Sequence, residues 1–123
     1  MELDGRVLYR RIWTEHRPAP HNVVVEQAVP GPPRAMWFSG LTKRWEFDPV
    51  TIGRVIADDA DQGSGAVTFV DRAEAEQTAR TMGVDLPTET ELAAFLERAG
   101  RQMQDSGDWE EPIPMEPLGP PGN

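Results

Sequence analysis

Met36-Trp37-Phe38-Ser39-Gly40-Leu41-Thr42-Lys43-Arg44-Trp45-Glu46-Phe47-Asp48-Pro49 is the stretch on which the fold turns. Two aromatic runs, residues 36–38 and 45–47, flank a mostly polar segment that contains a glycine. That pattern predicts an antiparallel hairpin, because bulky aromatic residues suit a pleated, half-buried strand and glycine suits the turn. Asp48-Pro49 follows at once and predicts a helix start. An aspartate side chain accepts from the otherwise unpaired amides of a first helical turn, and proline has no amide to leave unpaired there. Ile52, Val55 and Ile56 then recur at helical spacing, with Gly53 weakening the segment.

Toward the N-terminus, Val7, Tyr9 and Trp13 alternate with Leu8, Arg10 and Ile12, the period of a strand. The β-branched run Val23-Val24-Val25 reads as a second strand. Prolines at 18, 20, 30, 32 and 33 break the chain around it. Toward the C-terminus, residues 58–65 read as an acidic, Gly-rich loop and Val67-Thr68-Phe69-Val70 as a strand. Asp71 caps a helix over residues 72–82 with the stripe Ala75, Ala79 and Met82, and Gly83 ends it. Thr88 and Glu91 form a capping-box pattern ahead of Leu92, Phe95, Leu96, Ala99 and Met103 at helical spacing. Strands first and helices after predict an α+β fold: a small antiparallel sheet covered on one face by two or three helices. Residues 1–104 are expected to form the domain. Residues 105–123, rich in Pro, Gly and acids, are expected to be a disordered tail.

Charge divides the chain. Residues 1–54 carry eight bases and six acids; residues 55–123 carry four bases and fifteen acids, giving −9 overall. An acidic half attracts basic surfaces and repels polyanions and anionic lipid, so neither nucleic acid nor a membrane is an expected partner. The absence of cysteine excludes disulfides, thiolate metal sites and thiol nucleophiles. The first residues have no signal-peptide pattern and no run is long enough to span a bilayer, so a cytoplasmic protein is expected.

No chemistry-bearing motif stands out. Asp58-Asp59-Ala60-Asp61-Gln62-Gly63 resembles a cation loop only superficially. Counted from Asp59, the required glycine position is Ser64 and the twelfth position is Val70 rather than Glu, so it reads as a solvated turn. His16 and His21 flank a Pro-rich loop with no patterned ligand beside them. Ser64 lies in no nucleophile elbow, and there is no phosphate-binding glycine motif. Arg10 and Arg11 fall on opposite strand faces, so the basic–aromatic segment at 6–17 is not a continuous patch. No catalytic, cofactor or metal residues are assigned.

Arg44-Trp45-Glu46-Phe47-Asp48-Pro49, Val70-Asp71-Arg72-Ala73-Glu74-Ala75-Glu76 and Leu86-Pro87-Thr88-Glu89-Thr90-Glu91-Leu92 together resemble small acidic proteins of high-GC actinobacteria, some of them similar to immunity proteins that neutralise a toxin. The resemblance spans roughly residues 37–100 and carries no assignable functional residue. It implies a protein-binding role of immunity or inhibitor type; the charge split separately leads to an expected partner with a basic surface, met by the acidic helical side. The residues expected at that contact are Glu74, Glu89 and Glu97 for charge, with Trp37, Trp45 and Trp109 as aromatic anchors. Two rival readings are a small enzyme or ligand-binding domain, with a pocket lined by Trp37, Trp45 and Arg54, and an adaptor that works through its tail.

Overall fold

The computed structural model describes residues 5–12, 22–63 and 65–115. Six strands form one antiparallel sheet in the order β5-β1-β2-β3-β4-β6. Strands β1 (Val7–Ile12), β2 (Asn22–Gln27), β3 (Arg34–Ser39) and β4 (Arg44–Phe47) run as a meander. The expected hairpin is present as β3–β4, with Met36 opposite Phe47 and Phe38 opposite Trp45. Its turn closes through the Lys43 amide donating to the Ser39 carbonyl at 2.9 Å. Lys43 sits at φ 60°, a left-handed position that is uncommon for a residue with a side chain.

After β4 the chain is at one side of the sheet, and it must cross a face to reach the other. Helix α1 (Pro49–Gln62) makes that crossing and leads to β5 (Val67–Val70), which pairs with β1. Helices α2 (Arg72–Thr81) and α3 (Glu89–Ser106) return over the opposite face to β6 (Ile113–Pro114), which pairs with β4. The α+β fold is therefore as expected, but the helices divide between the two faces rather than sharing one. Burial follows this division. Tyr9, Val23, Val25, Met36, Trp45 and Phe47 pack with Leu92, Phe95, Leu96 and Met103 under α2 and α3. On the other face Ile12, Val24 and Ala35 pack with Ile52 of α1. Val23, Val24 and Val25 are all fully buried, because β2 lies between two covered faces.

The caps form where the sequence places them. Asp48 accepts from the Thr51 amide, Asp71 from Glu74 and Thr88 from Glu91. Helix α1 runs further than expected, taking in Asp58, Asp59 and Asp61, until Gly63 ends it at φ 63°. Among small residues Gly100 has a packing reason. A Cβ there would lie 2.8 Å from Arg34 Nε, so its absence lets the Arg34 side chain cross α3 on its way to Gln27.

The chain also stays on the domain beyond the boundary expected at residue 104. Helix α3 continues to Ser106, and Trp109, Ile113 and Met115 are partly buried against the main core. The Met115 amide donates to the Trp45 carbonyl at 2.7 Å. Of the expected tail, residues 116–123 lie outside the described residues, as do Trp13, His16 and His21.

Candidate functional site

The residues expected at a protein contact do not assemble into one surface. Trp45 is 8% exposed and stacks edge-on against Phe38 at 5.5 Å, so it is a core residue and offers no anchor at the surface. Trp37 is half-buried on the opposite face of the sheet, packed against the cluster under α1. Trp109 is half-buried beyond α3. Strand alternation separates the first two, since positions 37 and 45 point to different faces in this register.

The three glutamates have neighbours of their own. Glu74 is exposed on α2, with Arg11 Nη1 3.9 Å away. Glu89 is exposed in the first turn of α3, where it interacts with Tyr9. Glu97 pairs with Arg101 one turn along α3. All four bases of the acidic half, Arg72, Arg80, Arg98 and Arg101, lie on α2 and α3. Helix α2 is consequently neutral, with two arginines and two glutamates, and its outer face is not an acidic wall.

Tyr9 and Arg72 hold this side of the molecule together. Arg72 Nη1 donates to the Tyr9 hydroxyl at 3.0 Å, Nη2 to the Leu86 carbonyl at 3.4 Å, and Nε lies 3.3 Å from Glu76. Burial raises the Tyr9 pKa above its ordinary value, against the lowering effect of Arg72. Burial acts to lower the Arg72 pKa, but its bonds to Tyr9 and Glu76 outweigh that and leave it raised. Arg10 lies on the other face of β1, bonded to Glu26 at 2.6 Å and stacked 4.0 Å over the Phe69 ring. Arg10 on β1 and Arg72 on α2 are thus engaged within the fold, on opposite faces of the sheet, and among the described residues they do not form a continuous basic patch.

The acidic excess is concentrated at two places that lead into the two outer strands. Asp58, Asp59 and Asp61 occupy the last turns of α1, immediately before β5. Asp105, Asp108, Glu110 and Glu111 surround the end of α3, before β6. Neither helix has a base in its last turn. A helix C-terminus carries partial negative charge, so acids there are unfavourable for the fold itself. Asp59 and Asp108 are exceptions with internal uses: the Asp59 carboxylate accepts from the Ala66 amide at 2.8 Å and the Val67 amide at 3.2 Å, and so pins the start of β5, and the Asp108 carboxylate accepts from the Glu110 amide at 3.1 Å and the Glu111 amide at 3.4 Å. The stretch expected to be a solvated turn is thus the end of a helix, with Asp59 as an anchor. Among the described residues no group of three His, Asp or Glu is placed to hold a metal ion.

One apolar groove, of about 590 Å³, lies outside α1, lined by Pro32, Pro33, Pro49, Val50, Arg54 and Trp109 among others. The sequence pointed to Arg54 as a pocket residue, but beside Trp37 and Trp45; the structure puts it with Trp109 and the prolines. Chain topology brings these together, since the end of α3 and the start of α1 meet at the beginning of β3. No local periodicity carries that information. What the sequence did hold was the run of aspartates ahead of Gly63, a helix-ending glycine.

The chain matches no family model, no curated protein and no solved structure. No helix among the described residues is long and apolar enough to cross a membrane.

Proposed function

We propose that this chain is a non-catalytic, protein-binding protein, of immunity or inhibitor type, that docks on a partner with a basic surface. The observation that supports this reading is the placing of exposed acids at the negative ends of α1 and α3, without compensating bases. Asp58, Asp61, Glu110 and Glu111 lie where helix dipoles disfavour acids, whereas they steer a basic partner toward the outer strands. Complementary charge of this kind acts mainly on the association rate, and apolar anchors act on release. Trp109, half-buried beside an apolar groove and bracketed by Asp108 and Glu110, is the aromatic anchor best placed for it.

The test begins with capture of the partner from the native host, followed by association kinetics with two charge-reversed variants. Changing Asp58, Asp61, Glu110 and Glu111 to Lys is expected to slow association at low salt by at least tenfold. Changing Glu74, Glu89 and Glu97 to Lys is expected to have the smaller effect, because each has an internal neighbour. Raising ionic strength should slow the unmutated protein in the same way, since screening acts over ~10 Å at 0.1 M salt. Association that is insensitive to salt and to both variants would contradict an acidic docking surface.

A further inference from the structure

We propose that β5 is the contact element itself: a partner protein adds an extended strand, basic at both ends, to the outer edge of β5. This rests on the protein-binding reading above and names the partner's chemistry and its place of entry. Strand β5 is the last in the sheet order, paired only with β1 among the described residues. In an antiparallel edge strand alternate residues direct their N–H and C=O groups outward, which is a template for another strand. Folded proteins usually blunt such edges with proline, lysine, a bulge or extreme shortness. The other edge follows that rule, since β6 has two residues, one of them Pro114, and Pro112 precedes it. Strand β5 does not. Val67-Thr68-Phe69-Val70 has no proline and no charge, and it pairs with β1 in an unbroken register of four residues. Phe69 is 61% exposed, although it is a large hydrophobic residue on an outer strand.

Charge selects the occupant. The bonds from Ala66 and Val67 to Asp59 hold the end of α1 against the start of β5, which puts the exposed Asp58 and Asp61 beside that end. Exposed Asp71 follows the other end directly. The nearby bases have acidic or aromatic neighbours: Arg10 has Glu26 and the Phe69 ring, Arg11, opposite Thr68, has Glu74, and Arg72 has Tyr9 and Glu76. Acids at both ends favour a segment with Lys or Arg on either side of a short apolar run. The same acids disfavour a second copy of this chain, because antiparallel self-pairing would bring Asp58 and Asp61 of one copy toward Asp71 of the other. Strand addition of this kind draws affinity from main-chain hydrogen bonds and specificity from the side chains that alternate on either face.

The proposal is tested by selecting a displayed library of random twelve-residue peptides on the full chain, with Phe69→Lys and Thr68→Lys variants as counter-targets. Both side chains are exposed, but each variant sets a lysine opposite an arginine of β1, and Phe69→Lys also loses the Arg10 stack, so both should melt lower than the unmutated protein while remaining folded. The expected peptides carry three to five β-branched or aromatic residues between basic ones, and bind either variant about tenfold or more weakly. Peptides that bind the variants as well as the unmutated chain, in a salt-dependent way, would overturn the β5 assignment and leave the acidic-surface reading standing. No enrichment at all, together with salt-insensitive binding of the captured partner, would remove both. Sedimentation of the free protein completes the test: a dimer abolished by Phe69→Lys would make the occupant a second copy and overturn the basic strand.

Discussion

The two edges of this sheet share a charge and differ in backbone. Each is entered from a helix that ends in acids, α1 before β5 and α3 before β6. At β6 two prolines and a length of two residues leave little edge to pair with, while Trp109, Ile113 and Met115 fasten the segment to the core. At β5 four consecutive uncharged residues are paired on one side only among the described residues, with the Val67 amide held by Asp59. Charge composition therefore places two regions in reach of a basic partner, and main-chain availability distinguishes them. One edge completes the fold, and the other, among the described residues, is paired on one side only.

The largest effect is expected at the closed edge. Truncation after Gln104 removes Trp109, Ile113 and Met115 from the core and strips β4 of its outer partner. Partial burial of three such side chains is worth about 3 kcal/mol together, at roughly half the value of full burial. A chemical denaturation series should show that loss, and a truncated protein as stable as the full chain would make β6 an ornament. The next effect belongs to the open edge. Asp59→Ala leaves the Ala66 and Val67 amides without their carboxylate, at a cost of about 2 kcal/mol. Asp61→Ala, two residues further on and exposed, should stay within about 0.5 kcal/mol. Equal stability of the two variants would remove the anchor at the start of β5.

The smallest effect lies between β1 and α2. Tyr9→Phe loses the hydrogen bond from Arg72 and should cost about 1 kcal/mol at neutral pH. Burial raises the Tyr9 pKa, so the fold favours its neutral form. That contribution is fully present below the ordinary tyrosine value near 10 and is lost as pH rises through the higher folded value. The unmutated protein should lose stability above pH 10 more steeply than the Phe variant; parallel pH profiles would contradict the role given to burial.

Local signals were the legible ones. Asp48-Pro49, Asp71 and Thr88 each cap a helix because a cap depends on three or four neighbouring residues, and the β3–β4 hairpin depends on a dozen. The three aspartates at 58, 59 and 61 read as loop because their polarity hides the helix that Gly63 ends. Coverage of both faces was less legible, since it follows from where β5 and β6 pair, across the whole chain. Its trace in the sequence is Val23-Val24-Val25, a run without polar alternation. Strand β6 left no trace, because two residues have no period. The candidate contact residues fared according to register: alternation that takes Trp45 into the core takes Trp37 to the other face. The open edge at β5 is a property of pairing order, which no single segment encodes.

Residue-resolved amide hydrogen exchange, on the free protein and with a selected basic-flanked peptide bound, tests the difference between the edges most directly. In the free protein the β5 amides bonded neither to β1 nor to Asp59 should exchange fast, and their bonded neighbours slowly. With the peptide bound, the outward β5 amides should slow by at least tenfold, while Ile113 and Met115 at the closed edge keep their rates. Outward β5 amides that keep their free-protein rates, wherever else protection appears, would contradict the account.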